Sequence, residues 1–339
     1  MHVDPLDYEA LRDQIRWQRE KAWSLDDGLP WAIGVDADRY CLPLDDDAVA
    51  FPGLSEAQRV VLSQFLGLVV NGTIAEMEGV IHKLKDVAWS QLLRRYPVNP
   101  EMRELGELFF DEELKHARMF GRYNAVFCES LQLDPELVGR LMPKAFGSLF
   151  QKAVIDNARS GGHAFWWLVS SAEEVSIAIY QALHRWRDAM DPLYFAVHRR
   201  HLEDESRHRN YAVLMLELVG RSRAGTPWRQ LWHRKTDLLF SQLFSTLWVV
   251  SELTKVFEAK KFAREHPFFE TLASCLPHFR SVGPLRLAEK LFVSAPYVSL
   301  VLNTRYYRHT MAMAKAQRTP SFPFPAPRPA TLRGPGRVA

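Results

Sequence analysis

The chain has 339 residues, 47% hydrophobic and 24% charged, a globular balance far from that of a disordered chain. This length can bury a substantial core as one large domain or two ordinary ones. With 43 Lys and Arg against 40 Asp and Glu, the net charge is only +3 and no long basic run occurs, so nucleic acid is not an expected partner.

Met1 to Glu20 is charged throughout and lacks the apolar core of a signal peptide. Up to about Gly53 the pattern mixes a short amphipathic helix with loop. From Ser55-Glu56, a helix start, apolar residues recur at helical spacing (Leu62, Phe65, Leu66, Val69, Val70, Ile74, Ile81, Leu84), and Pro97 and Pro100 set the end of this first long helix. It contains the longest uncharged stretch, Val60 to Ala75, which is interrupted by Gln64, Asn71 and Thr73. A bilayer crossing needs roughly 20 apolar residues, so no membrane span is expected. A second helix is predicted from about Glu101 to Leu131, and a third from Gly161-Gly162 to about Arg187. A fourth runs from Asp191-Pro192 to Val219-Gly220, and three or four more fill Pro227 to Ala316. The tail from Thr319 holds six prolines in 21 residues and is expected to be disordered. No stretch alternates as a half-buried strand would. The expected fold is all-α: residues 1–318 as one domain with a four-helix bundle core at about 55–220, flanked by N- and C-terminal helices, and 319–339 as tail. Cys41, Cys128 and Cys275 are far apart, odd in number and in no C-x-x-C pattern, which suits a reducing compartment and a cytoplasmic protein.

Two of the long helices carry Glu-x-x-His: Glu113-Leu114-Lys115-His116 in the second and Glu205-Ser206-Arg207-His208 in the fourth. A spacing of three puts both side chains on one helix face, about 60° apart, where they can bind the same metal. The fourth helix adds His201 on the face of Glu205 and His208, which continues into Val197, Ala212 and Met215 and so points inward. As a count, two such pairs are unsurprising in a chain with 22 Glu and 12 His. Their position carries the inference, because unpaired carboxylates on inward faces would cost several kcal/mol. The other two helices each offer glutamates, Glu76 and Glu78 in the first and Glu173 and Glu174 in the third. One Glu from each of two helices plus Glu-x-x-His from each of the other two is the donor set of ferritin-like di-iron and di-manganese bundles. On the third helix Val169, Ala172, Ser176, Ile179 and Leu183 define the buried face. Glu173 lies about 80° from its centre and Glu174 about 180°, which selects Glu173. On the first helix the same arithmetic favours Glu76 but leaves the choice open, since a distortion at Gly72 would shift the phase.

The His201-x-x-x-Glu205-x-x-His208 arrangement, with Glu113-x-x-His116 upstream, resembles the p-aminobenzoate N-oxygenase (AurF-like) family of ferritin-like di-iron oxygenases, over roughly residues 55–220. The resemblance implies a seven-ligand site of Glu78, Glu113, His116, Glu173, His201, Glu205 and His208, with the family's spacing selecting Glu78 against the geometric preference. It also implies two iron ions, with O2 as co-substrate, and oxidation of an amine nitrogen to hydroxylamine and on to nitroso and nitro. Manganese suits the same carboxylate and imidazole donors. Val70 and Ile74 on the first helix, with Ile177 and Tyr180 on the third, are expected to line an apolar slot for the amine, and Arg305 to pair with a substrate carboxylate. Asp204, beside Glu205, is a candidate to hydrogen-bond a ligand histidine. There is no Gly-rich phosphate loop and no Gly-x-Ser-x-Gly elbow, so electrons must come from a separate reductase or ferredoxin. Helical faces left over after the bundle could form a homodimer. The competing readings are C–H hydroxylation or desaturation at the same site, and a ferroxidase, against which the hundred or so residues after Gly220 speak.

Overall fold

The structure, a computed structural model, describes residues 8–42, 53–90, 93, 100–142, 148–159, 164–222 and 254–278. The Pro-rich tail, Arg305 and most of the helices expected between Pro227 and Ala316 lie outside these residues.

The described residues form eight α-helices: α1 (Tyr8–Glu20), α2 (Glu56–Lys83), α3 (Pro100–Ser130), α4 (Pro135–Leu141), α5 (Ser148–Arg159), α6 (Ala164–Arg185), α7 (Pro192–Ser222) and α8 (Pro267–Ser274). Short 3-10 segments occur at Trp31–Ile33 and Thr254–Phe262. No strand occurs among the described residues, so the chain is all-α as expected. Local chemistry sets several boundaries. Ser55 caps α2 reciprocally with Gln58, each side chain taking the other's backbone N–H. Asp191 opens α7 by accepting the Tyr194 N–H at 2.6 Å. Two expectations need correction. The first long helix is interrupted after Lys83 by a π-helical turn at Lys85–Trp89, with α-helical conformation again at Ser90 and Leu93. Helices α4 and α5, between the second and third long helices, had no counterpart in the sequence reading.

Helix α2 packs along α3 and α6 along α7; α3 also touches α7, α1 lies on α3 and α8 on α2. The core is split in two. One cluster takes Phe65, Leu66 and Val69 from α2, Phe120, Tyr123 and Phe127 from α3, Ile179 and Leu183 from α6, and Leu193 and Val197 from α7. The other takes Val80 and Ile81 from α2, Phe109 and Phe110 from α3, Phe165 to Val169 from α6, and Tyr211, Ala212, Leu214 and Met215 from α7. All four helices pass from one cluster to the other, α2 and α7 in one sense and α3 and α6 in the opposite sense. Between the clusters each carries a buried acid: Glu78, Glu113, Glu173 and Glu205. A polar layer thus crosses the bundle midway along its length.

Helix α2 with its extension to Val87 is long and apolar enough to cross a membrane, which the sequence reading did not anticipate. However, 72% of its most apolar window is buried inside the protein. Packing in the core accounts for that hydrophobicity.

Candidate metal centre

The polar layer is dry. Glu78, Glu113, His116, His201, Glu205 and His208 are each at most 3% exposed. Their donor atoms fall into two groups, Glu78, His116, His201 and Glu205, and Glu113, His116, Glu205 and His208. Within each group the atoms lie within 4.8 Å of one another. Glu205 Oε1 is the common point: His201 Nε2 lies 2.7 Å from it, His116 Nδ1 3.2 Å and His208 Nδ1 3.6 Å. His201 Nε2 is also 2.7 Å from Glu78 Oε1, and His208 Nδ1 is 2.7 Å from Glu113 Oε1.

Apart from the His201 Nε2–Glu78 Oε1 hydrogen bond, proximity here is not hydrogen bonding. Both oxygens of Glu113 and of Glu205, Glu78 Oε2, His116 Nδ1 and His208 Nδ1 are buried without an aligned hydrogen-bond partner. One orphaned buried polar atom costs about 1–3 kcal/mol, and more when charged. Seven converging on one place therefore require a ligand, and the donors are all imidazole nitrogens and carboxylate oxygens. That chemistry fits a divalent transition metal, and separations under 4.8 Å suit donors arranged about 2.0–2.2 Å from an ion. The residues are positioned to hold two metal ions.

Outside the donor atoms the same helices supply a second set of charges, whose carboxylate oxygens are all hydrogen-bonded. His116 Nε2 lies 2.9 Å from Asp204 Oδ2, and His208 Nε2 2.9 Å from Glu112 Oε2. The pairing is reciprocal: the acid preceding the Glu-x-x-His of α7 holds the histidine of α3, and the acid preceding that of α3 holds the histidine of α7. Arg207 Nη2 bridges the two acids, 3.2 Å from Glu112 Oε1 and in contact with Asp204 Oδ1. Lys115 Nζ adds 3.4 Å to Asp204 Oδ2. An ionised carboxylate only accepts, so each Nε2 is the donor and each Nδ1 faces inward.

The two sets titrate in opposite directions. Burial, then the charges of Glu113 and Glu205, push the Glu78 carboxyl well above the ordinary range. Burial also raises Glu113, against the pull of His208. Desolvation would lower His208, but the charges of Glu205 and Glu113, the hydrogen bond to Glu112 and the close approach of Glu113 lift it to about 10. His201 is driven well down by burial and by the neighbouring imidazoles. In the outer set, desolvation opposes ionisation, but the hydrogen bond and charge of His116 with Lys115 and Arg207 hold Asp204 far below its usual value. Glu112 is lowered likewise, chiefly by His208. Burial thus favours the neutral form of Glu78 and Glu113, whereas Asp204 and Glu112 are held toward the ionised form.

Of the seven sequence-predicted ligands, the structure brings six into these two groups. Glu173 is 3% exposed at the level of the polar layer on α6 but belongs to neither group. Glu78 is buried in the centre, whereas Glu76 is only half-buried. The helical-phase preference for Glu76 fails for a physical reason: every residue from Leu62 to Gly72 is buried, so this stretch has no solvent face from which to measure phase. Helix α2 runs unbroken through Gly72. Val70 and Ile74 are buried in the first core cluster, Ile177 is half-buried, and Tyr180 is half-buried against His184 and Phe195.

Sequence reasoning missed Glu112, Lys115 and Arg207. The signal was present: Asp111-Glu112-Glu113-Leu114-Lys115-His116 and Glu203-Asp204-Glu205-Ser206-Arg207-His208 match in residue class at every position but the fourth. It also missed Gln18 and Trp23, which reach the outer acids from the N-terminal segment.

No protein-family profile matches the chain, and no curated protein matches it. Among solved structures, the chain is similar to an R2-like ligand-binding oxidase with an aerobically reconstituted Mn/Fe cofactor. The identity is 14%, covering 84% of this chain and 97% of that one, with a TM-score of 0.44. That likeness is too low to carry weight. The metal centre rests on the convergence of six buried side chains from α2, α3 and α7.

Proposed function

We propose that this chain is a non-haem di-iron or manganese/iron oxidoreductase that uses O2 to oxidise an amine nitrogen. The observation that carries the oxidoreductase reading is the set of buried donor atoms without partners around Glu205 Oε1. Glu78, Glu113, Glu173 and Glu205 bring four carboxylates to one layer, matching in charge two divalent ions. The pattern of one Glu from each of α2 and α6 and Glu-x-x-His from each of α3 and α7 is that of ferritin-like di-metal bundles.

When bound, a pair of reduced ions would supply electrons to O2 and so activate one of its oxygen atoms for transfer. The chain's own contribution is positioning and exclusion of water. Glu112 and Asp204 fix the tautomers of His208 and His116, so that Nδ1 presents its lone pair inward. The two apolar clusters seal the layer on both sides. His201 supports the nitrogen-oxidation reading: a third neutral donor offsets no charge, so four carboxylates would leave an oxidised pair of ions net positive, and an electron-rich amine is the kind of substrate such a centre attracts. The amine slot is assigned to the α2–α6 side, where Val70, Ile74, Ile177 and Tyr180 lie. Arg305 would pair with a substrate carboxylate, and a separate reductase or ferredoxin would supply electrons.

The test is anaerobic loading with Fe2+, then O2 exposure with and without p-aminobenzoate, followed by metal counting and mass analysis of the products. Two ions per chain with hydroxylamino, nitroso or nitro products are expected. Two ions with O2 consumption but an unchanged amine would overturn nitrogen oxidation and leave C–H oxidation or ferroxidase chemistry. A protein that takes up no metal would overturn the whole reading.

A further inference from the structure

Helix α1 lies outside the bundle, on α3, and its outward side is charged: Arg12, Arg16 and Arg19 are exposed. Its inward side is apolar at Leu11 and Ile15, but one turn later it buries an amide. Gln18 is 2% exposed, and its Nε2 donates to Glu112 Oε2 at 2.6 Å. The other end of that amide, Oε1, is buried without a hydrogen-bond partner. An apolar side chain would fill the same space without that penalty, so packing does not explain a glutamine here. Five residues on, Trp23 donates its indole N–H to Asp204 Oδ2 at 2.9 Å. The same segment covers the cations between the two acids. The Trp23 ring lies 4.2 Å from Lys115 Nζ and 5.0 Å from the Arg200 guanidinium, and the Trp17 ring 4.9 Å from that of Arg207.

We propose that residues 17–23 form a clamp on the metal centre, in which Gln18 and Trp23 are positioning residues for His208 and His116 through Glu112 and Asp204. The proposal rests on the two-metal reading above. Glu112 Oε2 is the acceptor for His208 Nε2, and Glu112 is also within reach of Arg207 and Lys115, which lie on its other side. The Gln18 N–H holds Oε2 where His208 needs it. Without that bond the carboxylate is free to turn toward the two cations and release the imidazole. Trp23 does the same for Asp204, which Arg207 and Lys115 also pull.

The two arms act alike. His208 and His116 each present a single inward lone pair, at Nδ1, so each can hold one ion. Loss of the Gln18 N–H or of the Trp23 N–H should therefore weaken one ion and spare the other. Changes one step removed from a ligand typically cost 10–100-fold in metal affinity, and effects of roughly that size are expected.

The experiment is an anaerobic Co2+ titration of the full chain, followed by visible absorbance, for wild type, Gln18→Leu, Gln18→Met and Trp23→Phe. Arg19→Ala is the control for docking of α1, since it removes only the surface pair with Glu104. Metal-free thermal melts show that each variant is folded. If the Leu variant does not fold, the Met variant, which keeps length and loses the N–H, decides. The expected result is two ions in wild type and in Arg19→Ala, and one of two weakened about tenfold or more in the Gln18 variants and in Trp23→Phe. Fewer than two ions in wild type would overturn the two-metal reading itself. Two ions in wild type with unchanged binding in the Gln18 variants would overturn the clamp alone. Equal weakening of both ions in Gln18→Leu and Arg19→Ala would show a merely structural role for α1 and would also overturn it.

Discussion

The inner and outer charges of this centre are drawn from the same two hexads of α3 and α7, one residue apart, yet their fates differ. Glu113 and Glu205 face each other with no hydrogen-bond donor on either oxygen, whereas Glu112 and Asp204 accept from histidines, Arg207 and the N-terminal segment. A rotation of about 100° between adjacent helical positions is enough to make the difference. The lesson is that burial alone does not mark a functional carboxylate. The outer acids are buried too, but their charge is neutralised by protein. The inner acids wait for a charge that the protein does not supply.

Removing an inner oxygen should break this contrast most severely. Glu205→Ala deletes the atom common to both donor groups, and loss of at least one bound ion outright is expected by metal counting. Glu78→Gln is the sharper variant, because it should separate binding from stability. A carboxyl whose folded value is raised contributes stability below its unfolded value, about 4.5, and loses it as pH rises. At pH 7 the glutamine variant is therefore expected to bind metal poorly yet melt at or above the wild-type temperature when metal-free. A large fall in metal-free stability would show that Glu78 is satisfied without an ion.

The outer acids should respond the other way. Asp204 is held below its usual value, so its contribution is present above about pH 3.8 and is lost as pH falls. Asp204→Asn keeps the shape but removes the charge facing His116, Lys115 and Arg207. Breaking a buried pair costs about 3–5 kcal/mol, so a lower melting temperature at neutral pH is expected, together with a 10–100-fold loss in metal affinity. Retained stability would place Asp204 with the inner set.

How much of this could be read from the chain follows the same division. The Glu-x-x-His pairs and His201 were legible because ligands on one helix share a face at spacings of three and four. The all-α bundle was legible from apolar periodicity. Glu78 was not fixed by periodicity, since the helix that leads to it is buried on every side from Leu62 to Gly72. Gln18 and Trp23 were invisible for another reason: they reach Glu112 and Asp204 across 94 and 181 residues of sequence, and no local pattern encodes such contacts. Helices α4 and α5 are short, 7 and 12 residues, and too brief to impose a clear period.

One turn of α7 before His201, His198 offers a smaller test of the same distinction, a buried histidine satisfied by protein. Its Nε2 lies 2.9 Å from Asn71 Oδ1, and burial lowers it to about 3. Between pH 6.5 and 3 the unfolded chain takes up a proton that the folded one refuses. Stability from this group is therefore full above 6.5 and is lost as pH falls. His198→Gln keeps a side chain able to bond Asn71 and cannot titrate. Metal-free stability measured across that window should fall less steeply in the variant, by about one proton's worth of slope. An unchanged slope would mean that His198 is charged in the folded protein, and would move it from the satisfied outer class to the strained inner one.

The smallest effect belongs to packing remote from the layer. Gly67 of α2 lies where a Cβ would come within 2.6 Å of Cys41 Cβ and 3.2 Å of the Tyr194 ring. Gly67→Ala therefore forces apart α2, the segment bearing Cys41 and α7, which is expected to cost about 1–3 kcal/mol in a well-packed core. Alanine's better helix propensity returns roughly 1 kcal/mol of that. Because Gly67 sits three turns from Glu78, in the apolar cluster on one side of the polar layer, the variant should melt slightly earlier and still titrate with two metal ions. A changed metal affinity here would mean that the layer and the cluster beside it do not hold their geometry independently.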